Sequence, residues 1–349
     1  MFYDYKHNLK NFILIAFALT IVKIAFLYFS KFPLWVDEAQ YWFWSKFLEA
    51  GYYSKPPAIA WIIHSTTNFL GDKEFYVRLA SPFLHLLTAI YIYQIAYKLY
   101  DEKIANYSGL IYLLMPAVLL SSNFISADAP LMLCWAGAIY HLIIAMEYKD
   151  ESRFFSWLLF AIWLGLGFLS KYTTIILVGG LFIYVLFARF SHFFSVNFWF
   201  SLIFAGLIFL PNFLWNYNND FVSFLHTQEN LLNTKASESF FEKFSSLNFK
   251  GFLEFVFSQI AVFGLLAFFI FNALYQKVKT DILLIAEERE ARFLLFWVSV
   301  PTLIAGLLLS LFASAQAHWS APAYIGISIL IAWYLVRKNM DFFLKLWLT

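Results

Sequence analysis

Stretches of about 20 apolar residues, the length an α-helix needs to cross a hydrocarbon core, recur along the whole sequence. They lie near 11–30, 77–97, 104–122, 130–147, 154–170, 173–188, 196–214, 255–274, 293–313 and 321–336. Inside a bilayer each backbone N–H and C=O must find its partner within the same segment, so such stretches become helices. The expectation is an all-α polytopic membrane protein with about ten transmembrane helices, folded as one membrane domain over 1–349. Only 13% of the residues are charged and 62% are hydrophobic, whereas soluble domains carry about 25% charge. The 44 Phe, 21 Tyr and 13 Trp suit a lipid-exposed surface with aromatic belts at the headgroups, although a compositional bias of the source explains abundant Phe as well. A net charge of +2 gives no case for a nucleic-acid partner, and the single Cys134 builds no disulfide framework. No small-residue cleavage site follows the first apolar run at Tyr28-Phe29-Ser30-Lys31, so that run reads as a retained helix.

Sidedness follows from where the basic residues fall. With the N-terminus in the cytoplasm, Lys6, Lys10, Lys98, Lys103, Lys149, Arg153, Arg189, Lys277, Lys279, Arg289, Arg292, Arg337, Lys338 and Lys345 all lie inside, and fewer basic residues remain outside. This is the positive-inside arrangement. The inner connections are short, whereas the outer ones are long and chemically varied, which points to function on the outside. The first outer loop, 31–76, holds two candidate interfacial helices, Val36 to Ala50 and Ala58 to Leu70, the second opening after Pro56-Pro57. A second outer loop, 215–254, is polar and begins with Asn216, Asn218, Asn219 and Asp220.

Several outer residues could carry chemistry, each with a plainer reading beside it. Asp37 and Glu38 sit at the membrane boundary between aromatics, where partial desolvation would tune a carboxyl toward general-base work; a solvated helix N-terminus explains acids there too. Tyr53, Ser54 and Lys55 lead into a stiff Pro-Pro segment that would present a cation to a lipid phosphate, or hold a snorkelling lysine. Asp128, in a loop of a few residues, needs a partner, either a divalent cation or a lysine; capping the helix before Pro130 is the alternative. Lys171, in a tight outer turn, could meet a phosphate or Asp128. His226 and Glu229 are three apart and would share a helical face able to bind a metal or an acceptor. His318-Trp319 reads as an interfacial belt with a contact role. Gly165 and Gly167 lie inside an apolar span and read as close helix packing, not a phosphate loop. No Walker motif, paired-cysteine site or Gly-x-Ser-x-Gly elbow occurs, so an ATP-driven pump or serine hydrolase has no support.

Six segments in order, Asp37-Glu38-Ala39-Gln40-Tyr41-Trp42, Gly51-Tyr52-Tyr53-Ser54-Lys55-Pro56-Pro57, Phe75-Tyr76-Val77-Arg78-Leu79, Ala127-Asp128-Ala129-Pro130, Leu169-Ser170-Lys171-Tyr172-Thr173 and Pro211-Asn212-Phe213-Leu214-Trp215-Asn216, resemble the bacterial lipid-carrier glycosyltransferases of the GT-C class. That group holds the aminoarabinose and galacturonic acid transferases of lipid A and lipopolysaccharide and, more distantly, the protein O-mannosyltransferases. The resemblance implies a GT-C fold in a bacterial inner membrane, with interfacial helices of the first periplasmic loop over a cavity open to lipid. It implies inverting transfer of a sugar from a polyprenyl-phosphate donor to lipid A, lipopolysaccharide core or another envelope acceptor. Carried over, Asp37 is the essential acid with Glu38 in support, while Lys55, Arg78, Lys171 and Tyr53 bind the donor and its phosphate. Asp128, with His226 and Glu229, would hold a divalent ion such as Mg, Mn or Zn, if the reaction uses one; Asn216, His318 and Trp319 are acceptor or interfacial contacts. The acid that commonly precedes Lys-Pro-Pro in the aminoarabinose transferases is Ser54 here. Many relatives also continue beyond the tenth span. Protein O-mannosyl transfer is the alternative within the class, and a transporter or flippase of lipid-linked sugars is the alternative outside it.

Overall fold

The computed structural model describes residues 2–147, 152–232, 248–270, 286–312 and 316–340. Residues 233–247 of the expected polar loop and the expected span 255–274 from 271 onward lie outside these. The described elements are helices: α1 (Phe2–Phe29), α2 (Val36–Trp44), α3 (Ala58–Leu70), α4 (Glu74–Arg78), α5 (Ala80–Leu99), α6 (Glu102–Leu114), α7 (Pro116–Ser121), α8 (Asp128–Glu147), α9 (Ser152–Ser170), α10 (Thr174–Ala188), α11 (Phe190–Phe193), α12 (Val196–Asn218), α13 (Val222–Leu232), α14 (Phe249–Phe263), α15 (Ala286–Phe312) and α16 (Ala323–Arg337). Each of the ten apolar windows carries a helix. Among the described residues six runs are long and apolar enough to cross a bilayer: those in α1, α8, α9, α12 and α15, and the continuous Glu74–Leu99. The chain is a multi-pass membrane protein.

Burial sorts the spans. In α8, 83% of the apolar window is buried, against 28% in α1 and 22% in α12, so α8 occupies the centre of the bundle and α1 and α12 face lipid. Around α8 pack α5 and α9; α6 bridges α5 and α16, and α15 lies against α16, α10 and α14. The first loop has a small core of its own, in which Tyr41, Trp44, Tyr52, Ile59, Ile63, Val77 and Ile125 are buried together.

Two elements differ from the sequence expectation. The window 104–122 is not one helix but α6 and α7, because Met115 precedes Pro116 and takes an extended ψ of 132°. The break leaves the Leu113 carbonyl without its helical donor, and Lys23 of α1 supplies one, its Nζ 3.0 Å from Leu113 O and 3.2 Å from Ser122 Oγ. His85 joins the same seam, with Nδ1 2.8 Å from the Tyr112 hydroxyl and Nε2 2.7 Å from Ser121 Oγ. The helix expected to reach Ala50 ends at Trp44. There the Tyr52 ring stacks on Trp44 with centroids 4.8 Å apart. Its hydroxyl accepts from Glu49 N at 3.1 Å and lies 2.9 Å from Phe47 O, so the chain is folded back.

Close helix packing appears at Gly180, where a Cβ would lie 2.2 Å from the Trp297 carbonyl oxygen, while a Cβ on neighbouring Gly179 would meet nothing. Gly180→Leu is therefore expected to wedge α10 from α15 at a cost of about 1–3 kcal/mol, whereas Gly179→Leu stays near neutral. Thermal unfolding of the two detergent-solubilised variants checks the contrast.

Candidate active site

The site is built on a buried ion pair. Arg78, at the end of α4, is 2% exposed and Glu38, in the first turn of α2, is 3% exposed. The guanidinium meets the carboxylate as a fork, Nε to Oε1 at 2.8 Å and Nη2 to Oε2 at 2.6 Å. Two further hydrogen bonds, from Nη1 and Nη2, reach Phe32 O at 2.9 Å and Pro33 O at 2.8 Å. Glu38 also accepts from Trp35 N at 3.0 Å and from Ile125 N at 2.9 Å. One pair thus ties α2, α4, the strand of chain before α2 and the loop before α8. Arg78, expected at a donor phosphate, and Glu38, expected in support of Asp37, are turned to each other and to backbone, with four hydrogen bonds from the guanidinium and both carboxylate oxygens engaged there.

Asp37, next to Glu38, points the other way. Its side chain is exposed and makes no hydrogen bond or ion pair among the described residues. Lys55, Lys171, Asp128 and His318 share its surroundings. Lys171 follows α9, and its Nζ lies 2.7 Å from Asp128 Oδ1. Asp128 therefore has the lysine partner foreseen as one option, and its carboxylate is directed there instead of capping α8. On the other side of Asp128, His318 Nε2 is 3.7 Å from Oδ2. The Lys55 ammonium has no hydrogen-bond or ion-pair partner among the described residues. Burial, and then the Lys171 ammonium, hold Lys55 below its usual lysine range, opposed by the carboxylates of Asp128 and Asp37. His318 is likewise lowered by burial first, with Asp128 and Asp37 raising it and Lys171 and Lys55 lowering it. Tyr41 lies within the same field, its phenol pushed up by burial and by Asp37 and Asp128. Five groups from five separate segments thus act on one another.

The C-terminal end of α12 and the start of α13 dock onto the first loop. Asn212 Nδ2 donates to Ala50 O at 2.7 Å, and the Tyr172 hydroxyl donates to Asn212 Oδ1 at 3.2 Å. Asn216 Nδ2 reaches the Tyr172 hydroxyl at 3.2 Å and is fully buried. This residue, read from the sequence as an acceptor or interfacial contact, is packed inside the docking. Trp215 Nε1 donates to Glu49 Oε2 at 2.6 Å, and Ser223 Oγ donates to Tyr52 O. Gly51 makes the approach possible, since a Cβ there would fall 2.5 Å from the Trp215 ring. Neither Glu49 nor Ser223 stands out in the sequence. Tyr53 is exposed beside His226, ring centroids 4.7 Å apart. Burial and Lys55 lower His226, with Glu229 opposing. Trp319 is half-buried next to His318.

The divalent-ion reading of Asp128, His226 and Glu229 does not match this geometry. Among the described residues no three His, Cys, Asp or Glu come together as a metal group, and the oxygens of Asp128 already face Lys171 and His318. The residues present fit an anion between two ammonium groups better than they fit a cation. Replacing Arg78 by Met would leave Glu38 buried without a counter-charge, for which about 3–5 kcal/mol of destabilisation is expected. The melting temperature of the purified variant reads this loss, and a wild-type value would contradict the clamp.

Residues 54–215 match the family described as dolichyl-phosphate-mannose-protein mannosyltransferase. The lipid A galacturonosyltransferase RgtD of Rhizobium johnstonii is 31% identical over 93% of this chain and 66% of its own length. An undecaprenyl phosphate-alpha-4-amino-4-deoxy-L-arabinose arabinosyl transferase of Aeromonas hydrophila is 32% identical over 40% of this chain and 28% of its own. Among solved structures, ArnT from Cupriavidus metallidurans bound to undecaprenyl phosphate superposes with a TM-score of 0.68 at 20% identity, over 93% of this chain and 59% of that one. The archaeal oligosaccharyltransferase AglB of Archaeoglobus fulgidus gives 0.65 at 11% identity, over 98% of this chain and 52% of that one. The chain spans less than two thirds of the length of these relatives. The chain shares the GT-C fold of these solved structures and is similar in sequence to the lipid A transferases and, over 54–215, to the protein mannosyltransferases.

Proposed function

We propose that this chain transfers a sugar, with inversion, from a polyprenyl-phosphate carrier to lipid A or the lipopolysaccharide core, at the periplasmic face of a bacterial inner membrane with the N-terminus in the cytoplasm. The observation that carries the reading is the unpartnered Asp37 carboxylate facing Lys55 and the Asp128-bound Lys171. It is supported by the relatives named for lipid A and for undecaprenyl phosphate-linked arabinose.

The chemistry asks for three things. A base must take the proton of an acceptor hydroxyl, and Asp37 is exposed and fixed on a backbone anchored by the Glu38–Arg78 pair. Positive charge must meet the phosphate as the sugar–oxygen bond breaks, and Lys55 and Lys171 bring it from two segments. The carrier must reach the site without leaving lipid, and α12, whose end forms one wall of the first-loop docking, is largely lipid-facing. The nucleophile attacks C1 from the side opposite the departing phosphate, which places acceptor near Asp37 and carrier near the lysines. Because the positive charge at the site comes from side chains of the chain itself, chelation of divalent ions with EDTA is expected to leave turnover of the purified enzyme unchanged.

Asp37→Asn is expected to lower transfer at least about a hundredfold with the protein still folded, measured by release of undecaprenyl phosphate from the labelled donor. Mass spectrometry of lipid A and core from cells with and without the gene is expected to show a difference of one sugar. Identical masses in both fractions would overturn the acceptor assignment, and unchanged turnover in Asp37→Asn would overturn the role of Asp37.

A further inference from the structure

Transfer changes the charge of the carrier. The bond from C1 to the phosphate oxygen breaks with its electron pair left on that oxygen, the acceptor oxygen forms the new bond to C1, and the acceptor proton passes to Asp37. A phosphodiester with one negative charge thereby becomes a phosphomonoester with close to two at neutral pH. The pocket meets this increase poorly with lysines alone. Lys171 is already offset by Asp128 at 2.7 Å, and Arg78 is enclosed with Glu38, so Lys55 is left as the ammonium without a bonded counter-charge among the described residues.

His318 stands where a further donor is needed. It lies on a short helical turn, Ala317–Ser320, between α15 and α16, crowded by the protein around it although 54% of its side chain stays open to solvent. That turn is not loose. The Tyr324 hydroxyl, from buried α16, donates to Ala317 O at 3.2 Å, and Trp319 N and Ala321 N close it on Gln316 O and His318 O at 3.0 and 2.9 Å. Nε2 sits 3.7 Å from Asp128 Oδ2, too far for a hydrogen bond, so the ring nitrogen is directed at the Asp128–Lys171 pair without being bonded to it. An anion arriving at Lys171 therefore comes within reach of the same nitrogen.

Resting on the donor reading above, we infer that His318 is a ligand of the carrier phosphate, its Nε2–H completing with Lys55 and Lys171 a cradle drawn from three parts of the chain. This assigns His318 to the leaving group and not to the acceptor. It also supplies the contact that the sequence had given to Arg78.

Binding of undecaprenyl phosphate and of the uncharged alcohol undecaprenol to the purified full chain separates the possibilities. His318→Gln is expected to weaken undecaprenyl phosphate about tenfold, the value of one charge-assisted hydrogen bond, and to leave undecaprenol unchanged, while His318→Arg restores phosphate affinity. Equal affinity of wild type and His318→Gln for the phosphate would overturn the assignment. So would parallel loss of both ligands, which would mark His318 as a packing residue. Wild type that binds neither phosphate nor alcohol would instead overturn the donor reading itself.

Discussion

A carboxylate and a guanidinium removed from water are each costly, and together they hold only if their geometry leaves no donor or acceptor idle. The Arg78–Glu38 pair comes close to that demand, with two hydrogen bonds between the ions and four more to backbone. Its value to the protein lies in what it fixes. Phe32 and Pro33, Trp35 and the first turn of α2, the end of α4 and Ile125 before α8 are all held to one point, so the free acid at position 37 inherits its direction from a neighbour that takes no part in chemistry. The adjacent residues divide the work by facing: one carboxylate inward as a fastening, the other outward as a reagent.

The rest of the outer end follows the same principle of polar groups bridging segments that hydrophobic packing alone would leave loose. Asn212, Tyr172 and Asn216 run a chain of amide and hydroxyl contacts from α12 to the backbone at Ala50. Lys23 and His85 do so one layer deeper, where the Pro116 break exposes backbone that lipid cannot satisfy. Between these layers lie Lys55, Asp128, Lys171 and His318, groups with few bonds of their own on a frame with many. Such a frame keeps charged groups in place without solvating them, the arrangement that makes electrostatic stabilisation effective.

How far the sequence could be read depended on whether a property was local. Apolar windows gave helices because the bilayer leaves a long apolar segment no other option, and Ala58–Leu70 was found to the residue because Pro57 marks its start. Asp37, Lys55, Asp128 and Lys171 were legible as a group through their motifs and their shared side of the membrane. The partnership of Glu38 with Arg78 was not, since a charged residue in a motif looks the same whether it faces solvent or its counter-ion. The end of α2 at Trp44 turns on a hydroxyl eight residues later, and the break at Met115 was visible in Pro116 but was outweighed by hydropathy. His318 meets Asp128 only because α16 folds against α6 and α15, a contact no spacing in the chain reports.

The pairing of Lys171 with Asp128 has a consequence for which anions the pocket can hold. With that ammonium already balanced, a small soluble anion would have to displace a tethered carboxylate using nothing but its own charge, at a surface where salt competes. A phosphate carried on a long isoprenoid arrives with its tail already dissolved in the membrane beside the protein, so its head is presented at high local concentration and the exchange at Lys171 becomes an intramolecular-like event. Discrimination between free and lipid-borne phosphate is then set by tethering, not by any contact that distinguishes one phosphate oxygen from another.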